Sequence, residues 1–134
     1  EPGRDPRGWI ISNTYMALIN NLDCELRTDE EAWEAGWFSM DDIENLSIGF
    51  DHLTIIKDAF CLLKRMALEY NERIFDLLPK TFTLAEIQQV FEEILEAELT
   101  KQNFRRKMME FVEETDEVET GYSHRNSKKY TKKF

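Results

Sequence analysis

Residues 82–106 read FTLAEIQQVFEEILEAELTKQNFRR, and this stretch decides the fold. Thr83-Leu84-Ala85-Glu86 is a capping box: the Thr hydroxyl accepts from the third amide while the Glu carboxylate reaches back to the first. The helix it opens places Leu84, Ile87, Phe91, Ile94 and Leu95 on one face at spacings of three and four. That helix is predicted to stop between Glu96 and Leu99. Thr100 then stands where an N-cap is needed, and a second helix over about 101–113 buries Phe104, Met108, Phe111 and Val112. Two helices joined by about four residues form a helix-turn-helix. Working towards the C-terminus, Val118–Tyr122 and Lys128–Phe134 read as the strands of a β-hairpin, the position of a wing.

Towards the N-terminus the design changes at Pro79. Residues 8–20, GWIISNTYMALIN, are rich in Ile, Tyr, Trp and Thr and predict a buried strand. Residues 22–31 are polar and acidic and predict a loop. Ala32–Met40 predicts a second strand, followed by a short helical turn at Asp41–Asp42. Asp51 is placed to cap a long helix over about 52–72, with Leu53, Ile56, Phe60, Leu63, Ala67 and Tyr70 as its apolar stripe. The expectation is an α+β chain in two parts, 1–76 and 77–134, the second a winged helix-turn-helix.

Charge points to a partner. The chain of 134 residues carries a net charge of −10, which by itself disfavours a polyanion. Residues 1–78 hold 7 Lys/Arg against 16 Asp/Glu, a net of −9, whereas 79–134 hold 10 against 11, a net of −1. Residues 120–134 carry Arg125, Lys128, Lys129, Lys132 and Lys133 and no acid. This asymmetry fits a C-terminal face that meets nucleic acid. The longest uncharged run, Gly8–Leu22, is shorter than the ~20 apolar residues of a membrane span and is interrupted by Ser, Asn and Thr. With no basic-then-apolar leader, the expectation is a cytoplasmic protein without membrane association. Cys24 and Cys61 have no metal-ligand spacing and are expected to be small buried side chains.

The second helix starts with Lys101, Asn103, Arg105, Arg106 and Lys107, while Phe104, Met108 and Phe111 face inward. The first turns of this helix are the part that enters the major groove in helix-turn-helix proteins. Arg suits guanine edges, Asn suits adenine, and Lys suits phosphates. His124, Arg125, Lys128 and Lys129 on the hairpin add contacts from a wing. These residues make double-stranded DNA the expected partner. Catalytic readings are weaker. Asp51-His52 reads as a cap with a satisfied His, and Glu92, Glu93, Glu96 and Glu98 as a solvated helix face. Trp33, Trp37 and Phe38 read as core. There is no Gly-rich phosphate loop, GxSxG or HExxH motif, so no catalytic or metal-binding residue and no cofactor is assigned.

Three stretches also resemble one family. Residues 5–12 (DPRGWIIS) and 35–56 (AGWFSMDDIENLSIGFDHLTII) resemble the later part of ADP-ribose-pyrophosphatase-type Nudix domains. Residues 82–106 resemble the winged helix of the Nudix-related, NrtR-like transcriptional regulators, with His124-Arg125, Tyr130 and Phe134 matching that group's wing. Asn126-Ser127 depart from its Pro-Ala. The resemblance implies the C-terminal portion of a Nudix α/β/α sandwich over 1–76, lacking the glutamate-rich Nudix box that would come before Asp5, and hence no hydrolase activity in this chain. It implies a repressor of NAD or sugar metabolism genes, acting as a homodimer on an operator and sensing ADP-ribose or a related nucleotide. Carried over by position, Lys101, Asn103, Arg105, Arg106 and Lys107 are recognition-helix contacts, His124, Arg125 and Lys128 are wing contacts, and Asp5 and Arg7 lie near the effector. The helix at 52–72 would couple sensor to reader as a rigid body. Two rivals follow: a Nudix hydrolase whose box lies upstream of Glu1, and a winged helix that docks proteins.

Overall fold

The computed structural model describes residues 8, 11–20, 24–28, 35–119 and 127–134. The chain divides into two compact units, Glu1–Ala17 with Cys24–Leu62 and Leu18–Asp23 with Leu63–Phe134.

In the first unit the described elements are α1, Met40–Glu44, and the opening turns of α2, His52–Leu68. Helix α1 begins because Ser39 and Asp42 close a capping box, the Asp42 amide donating to the Ser39 hydroxyl at 3.1 Å and the Ser39 amide to the Asp42 carboxylate at 3.2 Å. The Ser39 hydroxyl, which donates to the Asp42 carboxylate at 2.6 Å, and then the Ser39 amide favour the charged Asp42 and hold its carboxyl below the usual value of 3.8. Lys57 of α2 pairs with Glu44 at 2.7 Å. Helix α2 starts one residue after Asp51, as expected, and ends at Leu68 rather than near 72.

The two strands expected here do not form among the described residues. Residues 11–20 and 35–39 make no ladder, and Ile11 and Tyr15 are 93% and 90% exposed. Strand propensity describes how a side chain fits a pleated, half-buried surface, so it has no effect where no second strand pairs with the segment. Trp37 and Phe38 are exposed as well, against the expectation of core packing, and Trp33 lies outside the described residues. Cys61 is exposed and Cys24 half-buried, so neither is the buried apolar residue expected from composition. None of the described residues of this unit is fully buried.

The second unit holds the core. After α2, Asn71 caps a 3-10 helix over Glu72–Leu77, its side chain accepting from the Arg73 amide. Then follow β1 (Phe82–Thr83), α3 (Leu84–Leu95), α4 (Lys101–Met108), β2 (Val112–Glu119) and β3 (Ser127–Lys132). The sheet is antiparallel in the order β1-β3-β2, with Phe82 opposite Tyr130 and Val112 opposite Lys132. Between Glu114 and Val118 the register of β2 slips against β3, and the Thr115 hydroxyl donates to the Lys129 carbonyl at 3.0 Å to close the irregularity. Ile74, Phe82, Ile87, Phe91, Phe104, Met108, Val112 and Tyr130 are each at most 4% exposed and form one cluster with the two helices and the sheet. Aromatic rings join the parts: Phe91 meets Phe104 edge-on at 5.3 Å, and Tyr70 stacks on Phe111 at 5.7 Å.

Helix α4 is shorter than expected, ending at Met108, and Phe111 and Val112 reach the core from a turn and from β2. Their apolar spacing continues the helical pattern while the chain has already become strand. The hairpin strand is likewise earlier than expected, starting at Val112 rather than Val118.

Candidate nucleic-acid interface

Helix α3 takes its start from Thr83. The Glu86 amide donates to the Thr83 hydroxyl at 3.2 Å and the Thr83 amide to the Glu86 carboxylate at 2.6 Å, the capping box read from the sequence. Helix α3 closes at Glu96, whose backbone is left-handed at φ 51°. Thr100 then takes the N-cap position of α4, but its hydroxyl makes no capping bond.

Phe104 and Met108 fix the inward direction of α4, at 3% and 0% exposed. At about 100° per residue, Lys101 and Arg105 fall one turn apart along one edge of that buried stripe. Arg106 points directly away from it, Gln102 and Asn103 lie to either side of Arg106, and Lys107 falls on the opposite edge. Lys101, Gln102, Asn103, Arg105 and Arg106 are all exposed.

Lys101 and Arg105 line a concave groove of about 410 Å³. Thr83 and Ala85 at the start of α3 form another wall, and Ser127 and Lys128 of β3 close it. Helix α4 and strand β3 therefore meet at one hollow lined by Lys101, Arg105 and Lys128. Among the described residues no carboxylate lies within ion-pairing distance of Lys101, Arg105 or Arg106, which leaves these charges available to a polyanion. Lys128 is held differently. Its ammonium donates to Glu114 at 2.5 Å, and this bond keeps its basicity above the usual 10.5.

Lys107 is not brought to the groove. It pairs with Glu110 at 2.7 Å and lies over the rings of Phe111 and Tyr70, at 5.3 and 5.8 Å. Its half-buried position is that of a packing residue, since one side of the stripe faces the groove and the other faces the aromatic stack. Asp5, Arg7, His124 and Arg125 lie outside the described residues. From the sequence Thr83 is read only as a cap, and neither Gln102 nor Ser127 is assigned to the interface. Gln102 was recoverable from the helical wheel, whereas Thr83 and Ser127 depend on how the sheet joins the helices. Among the described residues no group of three or more His, Cys, Asp or Glu is arranged to hold a metal, and no helix is long and apolar enough to cross a membrane.

Residues 74–131 match the NrtR DNA-binding winged helix domain. The chain is 36% identical over 116 residues to the ADPR responsive transcriptional repressor NtrR of Acinetobacter baylyi, an alignment covering 85% of this chain and 46% of the repressor. It superposes on the crystal structure of Shewanella oneidensis NrtR complexed with a 27mer DNA with a TM-score of 0.83 and 27% identity, covering 99% of this chain and 60% of that one. A MutT/nudix family protein from Enterococcus faecalis superposes with a TM-score of 0.73 and 28% identity, over 99% of this chain and 58% of that one. The chain thus spans about half the length of the curated relative it matches. The α+β fold is that of these relatives, and the chain resembles NrtR, its residues 74–131 matching the NrtR DNA-binding winged helix domain.

Proposed function

We propose that this protein binds double-stranded DNA through α4 and the β2–β3 wing and acts as a transcriptional repressor of NAD or sugar metabolism genes. The observation that carries the reading is the pair Lys101 and Arg105, exposed, without a described carboxylate partner, and facing the same groove as Lys128. A cationic helix edge with a wing beside it offers both groove entry and phosphate contact. The repressor of A. baylyi, responsive to ADPR by name, and the DNA-bound NrtR of S. oneidensis support it.

In this reading residues 77–134 form the reader. Residues 1–76 form the later part of a Nudix-derived domain that responds to ADP-ribose or a related nucleotide, Asp5 and Arg7 lying near it. The protein works as a homodimer on paired half-sites and hydrolyses nothing by this chain alone. Incubated with ADP-ribose and magnesium, the chain is expected to release no AMP.

The direct test is fluorescence anisotropy with a labelled duplex recovered from a random pool by rounds of binding. Lys101→Ala and Arg105→Ala are each expected to weaken binding by roughly tenfold. Wild-type affinity in both variants would overturn the reading.

A further inference from the structure

Between the two helices, the start of the turn is closed by backbone, the Ala97 amide donating to the Glu92 carbonyl at 3.1 Å, and its end at Leu99 is held by side chains of α3. Gln88 Nε2 donates to Glu92 Oε1 at 2.9 Å and to the Leu99 carbonyl at 3.0 Å, and the Leu99 amide donates to the same Glu92 Oε1 at 2.8 Å. Leu99 directly precedes Thr100, the N-cap whose own hydroxyl makes no capping bond. Gln88 also lines the groove that Lys101 and Arg105 face.

We propose that Gln88 and Glu92 are positioning residues for DNA recognition, clamping Leu99 so that α4 begins at one place and angle relative to α3. The proposal rests on the DNA-binding reading above. A helix start normally takes its definition from a cap in its own first turn. Here that role passes to two side chains one turn apart on the preceding helix, which grip both the N–H and the C=O of one residue. Lys101 and Arg105 follow Leu99 by two and six residues, so a shift of that anchor moves both charges together. Misplacing a contact residue by about 1 Å is enough to lose a bidentate base contact. Glu92 thereby acts against its charge: a carboxylate beside a DNA-facing groove repels phosphate, yet its contribution to geometry outweighs that repulsion. The charged form is favoured in place, the Gln88 amide and then the Leu99 amide holding the Glu92 carboxyl below its usual range.

The test separates geometry from charge. Glu92→Ala, Glu92→Gln and Gln88→Ala are titrated by anisotropy into the duplex selected by the wild-type protein, with exchange of the Leu99 amide followed by NMR in the same proteins and folding checked by thermal unfolding. A positioning role predicts that Glu92→Ala and Gln88→Ala bind about three- to tenfold more weakly, with faster Leu99 exchange and an unchanged salt dependence, because no cation has been removed. Glu92→Gln keeps an acceptor oxygen and is expected to bind at least as well as wild type. Tighter or equal binding by Glu92→Ala, or an equal loss in Glu92→Gln and Glu92→Ala, would overturn the clamp. A wild-type protein that selects no duplex would instead overturn the DNA-binding reading beneath it.

Discussion

Lys107 and Arg105 differ by two positions in one helix and are assigned opposite roles. Arg105 stands at the groove without a described acidic neighbour, whereas Lys107 is tied to Glu110 and laid over Phe111 and Tyr70. Lys107→Ala is therefore expected to lower stability modestly, by about 0.5–1 kcal/mol from lost packing and cation–π contact, and to leave DNA affinity within about twofold. Thermal unfolding and anisotropy on one preparation measure both. Phe91 is 1% exposed and meets both Tyr70 and Phe104. Its truncation to Ala is expected to cost about 3–5 kcal/mol, read by urea unfolding. Glu92 gives a pH signature. With its carboxyl lowered in the folded state from the ordinary 4.5, it stabilises the fold above that value and ceases to do so as pH falls through the lowered folded value. Glu92→Gln is accordingly expected to flatten the acid limb of the unfolding midpoint against pH; an unchanged limb would contradict this.

At the scale of elements, what a short window contains was legible. The capping box at Thr83–Glu86 and the end of α3 are both settled within four residues, so sequence and structure agree on them. Thr83→Ala is expected to cost about 1 kcal/mol, checked by the unfolding midpoint. What depends on distant partners was not legible. Residues 11–20 have strand-forming side chains but no strand to pair with among the described residues. At Phe111 and Val112 the apolar rhythm suits a helix and a strand equally, and pairing of Val112 with Lys132 decides for strand. The candidate site divides in the same way: Lys101 and Arg105 follow from helical periodicity, while the groove they share with Ser127 and Lys128 follows only from the sheet. Lys128 pairs with Glu114, which on the DNA-binding reading competes with phosphate for it. Glu114→Gln is expected to tighten DNA binding by up to about fivefold, since an exposed pair contributes little and its loss frees a cation. Weaker binding in that variant would place Lys128 outside the interface.

For the whole molecule, a net charge of −10 sets strict terms for meeting DNA. With 27 acidic against 17 basic residues the chain as a whole repels a polyanion, so on the DNA-binding reading association depends on the small face where positive charge is concentrated, and its strength is expected to decline steeply with salt. This makes salt dependence a direct count of the charges that reach phosphate. The slope of log affinity against log salt, compared among wild type, Lys101→Ala, Arg105→Ala and Lys107→Ala on one duplex, tests the central claim. Binding by α4 and the wing predicts a slope shallower by about one for a phosphate-contacting member of the Lys101–Arg105 pair and an unaltered slope for Lys107→Ala. Equal slopes and affinities in all four proteins, or the loss appearing only in Lys107→Ala, would contradict it.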